Sequence, residues 1–260
     1  MSRCAKNRTF RAKNGLMRKL VVLRSGDVPP PIAARRGEYL GWFSEAVGPV
    51  FPGDWSECDV RTAEALPDLA EVSGFVLTGS SSSVTERAPW MLRFEAYVRE
   101  AVARDTPMLG VCFGHQILGQ ALGGLVEKNP RGREIGTRTA TRTEHGASDP
   151  LFEGLGASFD VNTTHVDSVV RLPPGARVLA STELEPHAAF ALADKPGVRA
   201  VQFHPEIDGD AMRAWIELRR PLIEAESLDA DAILARSGDT PAGGSILRAF
   251  VKNFVLAKAR

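Results

Sequence analysis

One pattern constrains this chain more than any other: short unbroken apolar runs recur, each leading through a turn towards a segment with helical spacing. Lys19-Leu-Val-Val-Leu-Arg24 ends at Ser25-Gly26, and Gly74-Phe-Val-Leu-Thr78, Pro107-Met-Leu-Gly-Val111 and Val198-Arg-Ala-Val-Gln-Phe203 repeat the theme. A strand without polar alternation is buried on both faces, as in parallel sheets covered by helices on each side. Gly37 to Val47 carries Tyr39, Leu40, Trp42, Phe43 and Ala46 at helical spacing. Pro89 opens a second helix running to Arg104, and Phe113 to Leu122 forms a third, closed by Gly123-Gly124. Val50-Phe51 reads as a further strand, and Pro29-Pro30-Pro31 as a loop that forbids helix. From Leu125 towards Ala193 the chain is richer in Thr, Val and turn residues, which predicts a small mixed-strand segment. Beyond Glu206 the pattern is helical, with Ile246, Leu247, Phe250, Val251, Phe254 and Val255 on one face. The expected architecture is α/β, a mostly parallel central sheet with a helical C-terminal extension. Residues 1–18 read as a basic extension, 19–206 as the domain, and 207–260 as helices packed on that same domain.

A chain of 260 residues, 43% hydrophobic and 25% charged, fits a single globular domain with a core large enough to need no staples. Its three cysteines, Cys4, Cys58 and Cys112, are odd in number and unrelated in spacing, which argues against a disulfide framework and for a reducing compartment. No C-x-x-C pair is present, so no structural zinc site is expected. The formal charge is zero, yet Arg3, Lys6, Arg8, Arg11, Lys13, Arg18 and Lys19 precede any acid. The remaining body is therefore mildly acidic, and its electrostatics give no reason to expect nucleic acid. The basic head is open to three readings: a transit peptide, a nucleic-acid arm, or a disordered tail ahead of a start at Met17. It has no apolar stretch of the secretory kind, and the tail is the reading preferred. No run reaches the ~18 apolar residues that span a bilayer, and the expected location is cytoplasmic.

Gly110-Val-Cys-Phe-Gly114 follows a strand and precedes a helix, the layout of a nucleophile elbow. The flanking glycines suit a sharp turn with no room for Cβ atoms. A helix N-terminus also lowers the pKa of a thiol placed there. The competing reading is an inert buried cysteine in a Gly-flanked turn. Cys4 and Cys58, in a basic tail and a polar loop, have no such setting. His204-Pro-Glu206 closes the strand that ends at Phe203. Residues i and i+2 of an extended chain point to one side, so the carboxylate can reach the imidazole, and Pro205 holds His204 out of the helical region. Taken alone, these would be a strand-end histidine and an acid at a helix start. Beside the elbow they supply the base and its orienter that a nucleophilic thiol requires.

These residues resemble the class I glutamine amidotransferases. The likeness is carried by Gly110-Val-Cys-Phe-Gly-His-Gln-Ile-Leu-Gly-Gln-Ala-Leu-Gly-Gly124 and Val201-Gln-Phe-His-Pro-Glu206, with Leu77-Thr-Gly-Ser-Ser-Ser-Ser-Val84 and Thr164-His-Val-Asp-Ser-Val169 in support. It covers roughly Lys19 to Glu206. Within the family the chain is most similar to the glutaminase domain of GMP synthase and its free-standing relatives, including plant γ-glutamyl peptidases. Pro89-Trp90 and Gly132-Arg-Glu-Ile-Gly136 share that flavour. The resemblance implies a flavodoxin-like three-layer α/β/α fold and a small-molecule glutamine or γ-glutamyl substrate. It implies that Cys112 forms a γ-glutamyl thioester, that His204 protonates the leaving amine and then activates water, and that Glu206 orients His204. Backbone amides at Gly79, Ser80 and Phe113 would hold the oxyanion. Gln116, Thr164, Val166 and Asp167 would hold the amino-acid end of the substrate. Ser80 and Ser81 depart from the Gly-Pro common in that loop.

No cofactor, metal or membrane is implied. Gly79-Ser-Ser-Ser-Ser is followed by no G-K-[ST], which excludes a P-loop, and Gly119 to Gly124 belongs to a helix end. His115 and His165 lack metal-ligand companions and read as packing or supporting residues, while His145 and His187 carry no signal. Four functions compete. One is a self-sufficient hydrolase of γ-glutamyl compounds, and another an ammonia-donating glutaminase whose synthetase is a separate chain, since the segment after Glu206 is too short for an ATP-using domain. The third is a catalytically silent binding module, which the intact Cys112, His204 and Glu206 argue against. The fourth is a cysteine hydrolase of the α/β-hydrolase kind, which places its acid before a distant His instead of two residues after it.

Overall fold

The computed structural model describes residues 19–258, and the expectation for segment 1–18 lies outside them. The strands in chain order are β1 (Lys19–Arg24), β2 (Trp55–Asp59), β3 (Val72–Leu77), β4 (Met108–Val111), β5 (Leu125–Lys128), β6 (Glu134–Arg142), β7 (Ser158–His165), β8 (Asp167–Arg171), β9 (Ala176–Ser181), β10 (Ala189–Leu192) and β11 (Lys195–Val201). Nine of them form one sheet in the order β2-β1-β3-β4-β11-β10-β9-β6-β7, and β5 pairs with β8 as a separate ribbon. The half from β2 to β11 is parallel, and every pairing beyond β11 is antiparallel.

The helices are α1 (Pro30–Arg36), α2 (Tyr39–Val47), α3 (Pro89–Ala103), α4 (Phe113–Ala121), α5 (Glu144–Ser148), α6 (Gly209–Ala225), α7 (Ala230–Arg236) and α8 (Pro241–Phe250). They make three layers because successive strand residues face opposite ways. Leu20 and Val22 of β1 point into a core with Tyr39, Phe43, Ile246 and Phe250, whereas Val21 and Leu23 point into a second core with Met91, Phe94, Phe113 and Ile117. The apolar face expected after Glu206 lies wholly in the first core, where Val251, Phe254 and Val255 continue α8 as a π-helical turn.

Three expectations need correction. The mixed-strand segment is not small: β6, β7, β9 and β10 extend the parallel sheet itself, and β5–β8 adds a ribbon. Helix α1 begins at Pro30, inside the proline run. A first-turn proline gives up an N–H that has no intrahelical acceptor in any case, so the run starts a helix instead of forbidding one. Val50 ends a 3₁₀ turn, Gly48–Val50, and the strand lies later, at Trp55–Asp59. As an edge strand with no fully buried residue, β2 carries no apolar run by which to be recognised.

Candidate active site

Parallel register delivers four strand ends to one rim. Leu23 lies beside Leu77, Leu77 beside Gly110, and Val111 beside Val201. Just beyond these ends come Ser25-Gly26, Thr78-Gly79, Cys112 and Phe203-His204. The chain builds outward from β1 first to β2 and then across to β3, so this rim includes a topological switch point, the usual crevice for ligands in such sheets.

Cys112 sits between β4 and α4 with φ 53° and ψ −104°, a backbone conformation costly for a residue with a Cβ. Its N–H donates to Val201 O at 2.9 Å, and Gly114 N–H donates to Thr78 O at 3.1 Å, which ties the turn to both neighbouring strands. The two flanking glycines are required by space. A Cβ on Gly110 would stand 2.5 Å from Gly114 O, and one on Gly114 2.4 Å from Leu77 O.

His204 is fixed by a bridge to β7: its N–H donates to Asn162 O at 2.8 Å. The Asn162 side chain donates to Ile207 O at 3.0 Å and accepts from Thr137 Oγ1 at 2.7 Å, so one buried asparagine, by main chain and side chain, holds both ends of the His-Pro-Glu segment. From behind, α8 presses on it, since a Cβ on Gly243 would be 2.4 Å from Pro205 O. Within the segment, His204 Nδ1–H donates to Glu206 Oε1 at 2.7 Å. The other ring nitrogen, Nε2, is turned to the nucleophile side. A Cβ on Gly79 would lie 3.7 Å from both Nε2 and the Cys112 Cβ, and 2.9 Å from His204 Cε1. The thiol, the imidazole and the Gly79 backbone thus crowd around one point.

Electrostatics follow from that crowding. Burial alone would push the Cys112 thiol up, but the charge of the neighbouring His204, helped by His165 and Arg219, holds it below its ordinary value. Burial would push His204 down, but Glu206 and Cys112 hold it well above an ordinary imidazole. Both directions favour the charged forms, thiolate for Cys112 and imidazolium for His204, and the two residues are only 5% and 3% exposed.

The other expected residues divide into two groups. Gly79 comes close to the Cys112 Cβ, Ser80 lines a cleft with His204, and Phe113 is first in α4, where an N–H has no intrahelical acceptor. Gln116 does not offer its amide to open space, because Nε2 donates to Asp167 O at 3.0 Å and to Gln202 Oε1 at 3.1 Å. Val166 O accepts from Asn129 N–H at 2.8 Å. Asp167 accepts from Ser83 Oγ at 2.5 Å, joining the 164–167 segment to the serine loop. Thr164 Oγ1 is bonded to Arg219. Neither Asn162 nor Arg219 was foreseen. Asn162 has no sequence signal, whereas Arg219 interrupts the stripe Met212, Trp215, Ile216 and Ile223, where a charge is out of place on an amphipathic helix. His165 and Glu134 form a second buried pair at 3.1 Å, and His165 Nδ1 also lies 3.0 Å from Asp167 O. Among the described residues no group of His, Cys, Asp and Glu could hold a metal ion, and no helix is long and apolar enough to cross a membrane.

The family model for glutamine amidotransferase class-I matches residues 54–217. GMP synthase (glutamine-hydrolyzing) of Thermosipho africanus is 35% identical over 192 residues, covering 74% of this chain and 33% of that protein. The chain thus spans about a third of such relatives. A glutamine amidotransferase-like protein of Schizosaccharomyces pombe is 28% identical over 192 residues, covering 73% of this chain and 74% of its own. Among solved structures, a glutamine amidotransferase from Thermotoga maritima superposes with a TM-score of 0.72 at 22% identity, covering 92% of this chain and 98% of that one. That likeness shows a shared flavodoxin-like α/β/α fold.

Proposed function

We propose that this chain, a member of the class-I glutamine amidotransferase family, hydrolyses the γ-amide bond of glutamine or of a γ-glutamyl compound through Cys112. The observation that carries the proposal is the meeting of Cys112, on its strained elbow, with a His204 already held by Glu206. The thiolate adds to the γ-carbonyl carbon, and the oxygen takes the negative charge. N–H groups of Gly79, Ser80 and Phe113 would receive it, and donors of this kind are each worth ~10²–10³ in rate. Collapse breaks the C–N bond, the amine leaves with a proton from His204 Nε2, and a γ-glutamyl thioester remains. The now neutral His204 takes a proton from water, which attacks the thioester, and glutamate and the thiolate are regenerated with the imidazolium.

At the glutamyl end, Asp167 offers a carboxylate to the α-ammonium and backbone groups of Thr164 and Val166 flank it. Gln116 serves here as the brace that holds Asp167. A second reading, an ammonia-donating glutaminase serving a separate synthetase, is favoured by the match to about a third of a GMP synthase. A catalytically silent module has no observation in its favour. Purified protein tested for ammonia release from glutamine and for turnover of γ-glutamyl dipeptides separates the two active readings. In either, Cys112→Ser should abolish thioester trapping and turnover, and retained turnover would remove Cys112 as nucleophile.

A further inference from the structure

Helix α6 treats its arginines unequally. Arg213 pairs with Asp210, and Arg220 with Glu217, Glu224 and Asp231, as ordinary surface arginines do. Arg219 falls instead on the inward stripe with Trp215 and Ile216, half-buried. Among the described residues it makes no salt bridge, and its hydrogen bonds go only to Thr164 Oγ1 and, at 3.4 Å, Thr164 O. Both bonds use Nη1, so Nε and Nη2 of the guanidinium fork have no protein acceptor. Partly desolvating a cation is unfavourable, and burial does push the Arg219 pKa down, with only the charge of Cys112 and not a bonded acid opposing it. The arrangement becomes favourable once an anion enters.

A cleft of about 250 Å³ opens in front of it, lined by Arg219, Tyr39, Trp215, Thr164, Ser80 and His204. Asp27, the acid at its mouth, is already engaged by Arg24 and Arg61. The cleft's position relative to the reaction decides what it would hold. It touches His204, the group that protonates the departing amine, and Thr164, but neither Gln116 nor Asp167. Its His204 end is the part that the amine half of a substrate would enter. Resting on the proposed hydrolysis, we infer that Arg219 and this cleft form a subsite for a carboxylate on the amine half of the substrate, so that γ-glutamyl amino acids and peptides with a free carboxylate are preferred. The planar fork suits a carboxylate through paired N–H bonds, which an ammonium would not supply.

The test compares kcat/KM for γ-glutamyl-alanine and γ-glutamyl-alaninamide, which differ in one charge remote from the bond that breaks. Wild-type protein should prefer the free acid by about ten- to a hundredfold, the worth of a charge-assisted hydrogen bond. Arg219→Gln should bring that ratio close to one, and Arg219→Lys should retain part of it. The ratio is the quantity that decides, because losing the cation also disturbs the thiol for both substrates alike. Equal turnover of the two substrates by wild type overturns the subsite, whatever the variants do. So does an Arg219→Gln variant that slows both by the same factor. If folded wild-type protein hydrolyses neither compound nor any other γ-glutamyl amide, the proposed activity itself is lost and the subsite with it.

Discussion

Folding this chain should move a proton from sulfur to nitrogen, and stability measured against pH should reveal it. The perturbation is Cys112→Ala, which removes the titrating thiol and adds a cavity cost that does not depend on pH. In the unfolded chain Cys112 titrates near 9.0 and in the folded protein lower, because the His204 imidazolium overcomes the effect of burial. A depressed pKa contributes stability that is full above the unfolded value and is lost as pH falls towards the folded one. Wild type should therefore gain on Cys112→Ala as pH rises towards 9.0. The limiting slope is about 1.4 kcal/mol per pH unit, one proton's worth. His204 carries the opposite sign. Its raised pKa contributes fully below about 6.5 and is lost as pH rises towards its folded value, which the variant retains in part through Glu206. Urea unfolding of both proteins from pH 6 to pH 9 (about half-unit steps) measures the difference directly. A difference that stays constant over that range means the folded thiol is neutral, and the ion-pair argument fails.

Three other outcomes follow from the same geometry. Glu206→Gln should move the alkaline limb of the pH–rate profile down, because the carboxylate no longer supports the His204 imidazolium, by about one to two units if the bond is worth ~1.5–3 kcal/mol, and an unshifted limb would mean another acid orients His204. Gly79→Ala should leave unfolding nearly unchanged yet lower kcat by about 10²-fold, since its methyl would meet the imidazole at 2.9 Å and a displacement of ~1 Å has that effect; full activity would show that the ring is not held where it is drawn. Cys112→Gly should be more stable than Cys112→Ala by about 1 kcal/mol, the relief of a positive φ outweighing the entropy of glycine, and thermal unfolding decides between them.

Much of this site could be read from the sequence because its chemistry is local. Gly110, Cys112 and Gly114 lie within one turn, and His204 and Glu206 within three residues, so spacing and steric need declare them. The parallel strands were legible for a similar reason: burial on both faces leaves an unbroken apolar run. What escaped depends on partners distant in sequence. Asn162 is one amide in a Thr-rich strand until its bond to Ile207 is known, and nothing nearby distinguishes it. The edge strand β2 is half-exposed and polar, and the antiparallel strands show weak alternation, so their number and their place in the main sheet required the fold. Arg219 lay between these extremes, visible as a charge in an apolar stripe but without meaning until the cleft before it was seen.

The tight seat of Gly243 on Pro205 carries a consequence for the order in which the molecule is made. The cysteine elbow leaves the ribosome well before the helix that supplies the wall behind the imidazole. A growing chain thus keeps a reactive sulfur without a firmly placed base until α8 has emerged, and that helix acts as the switch that arms it.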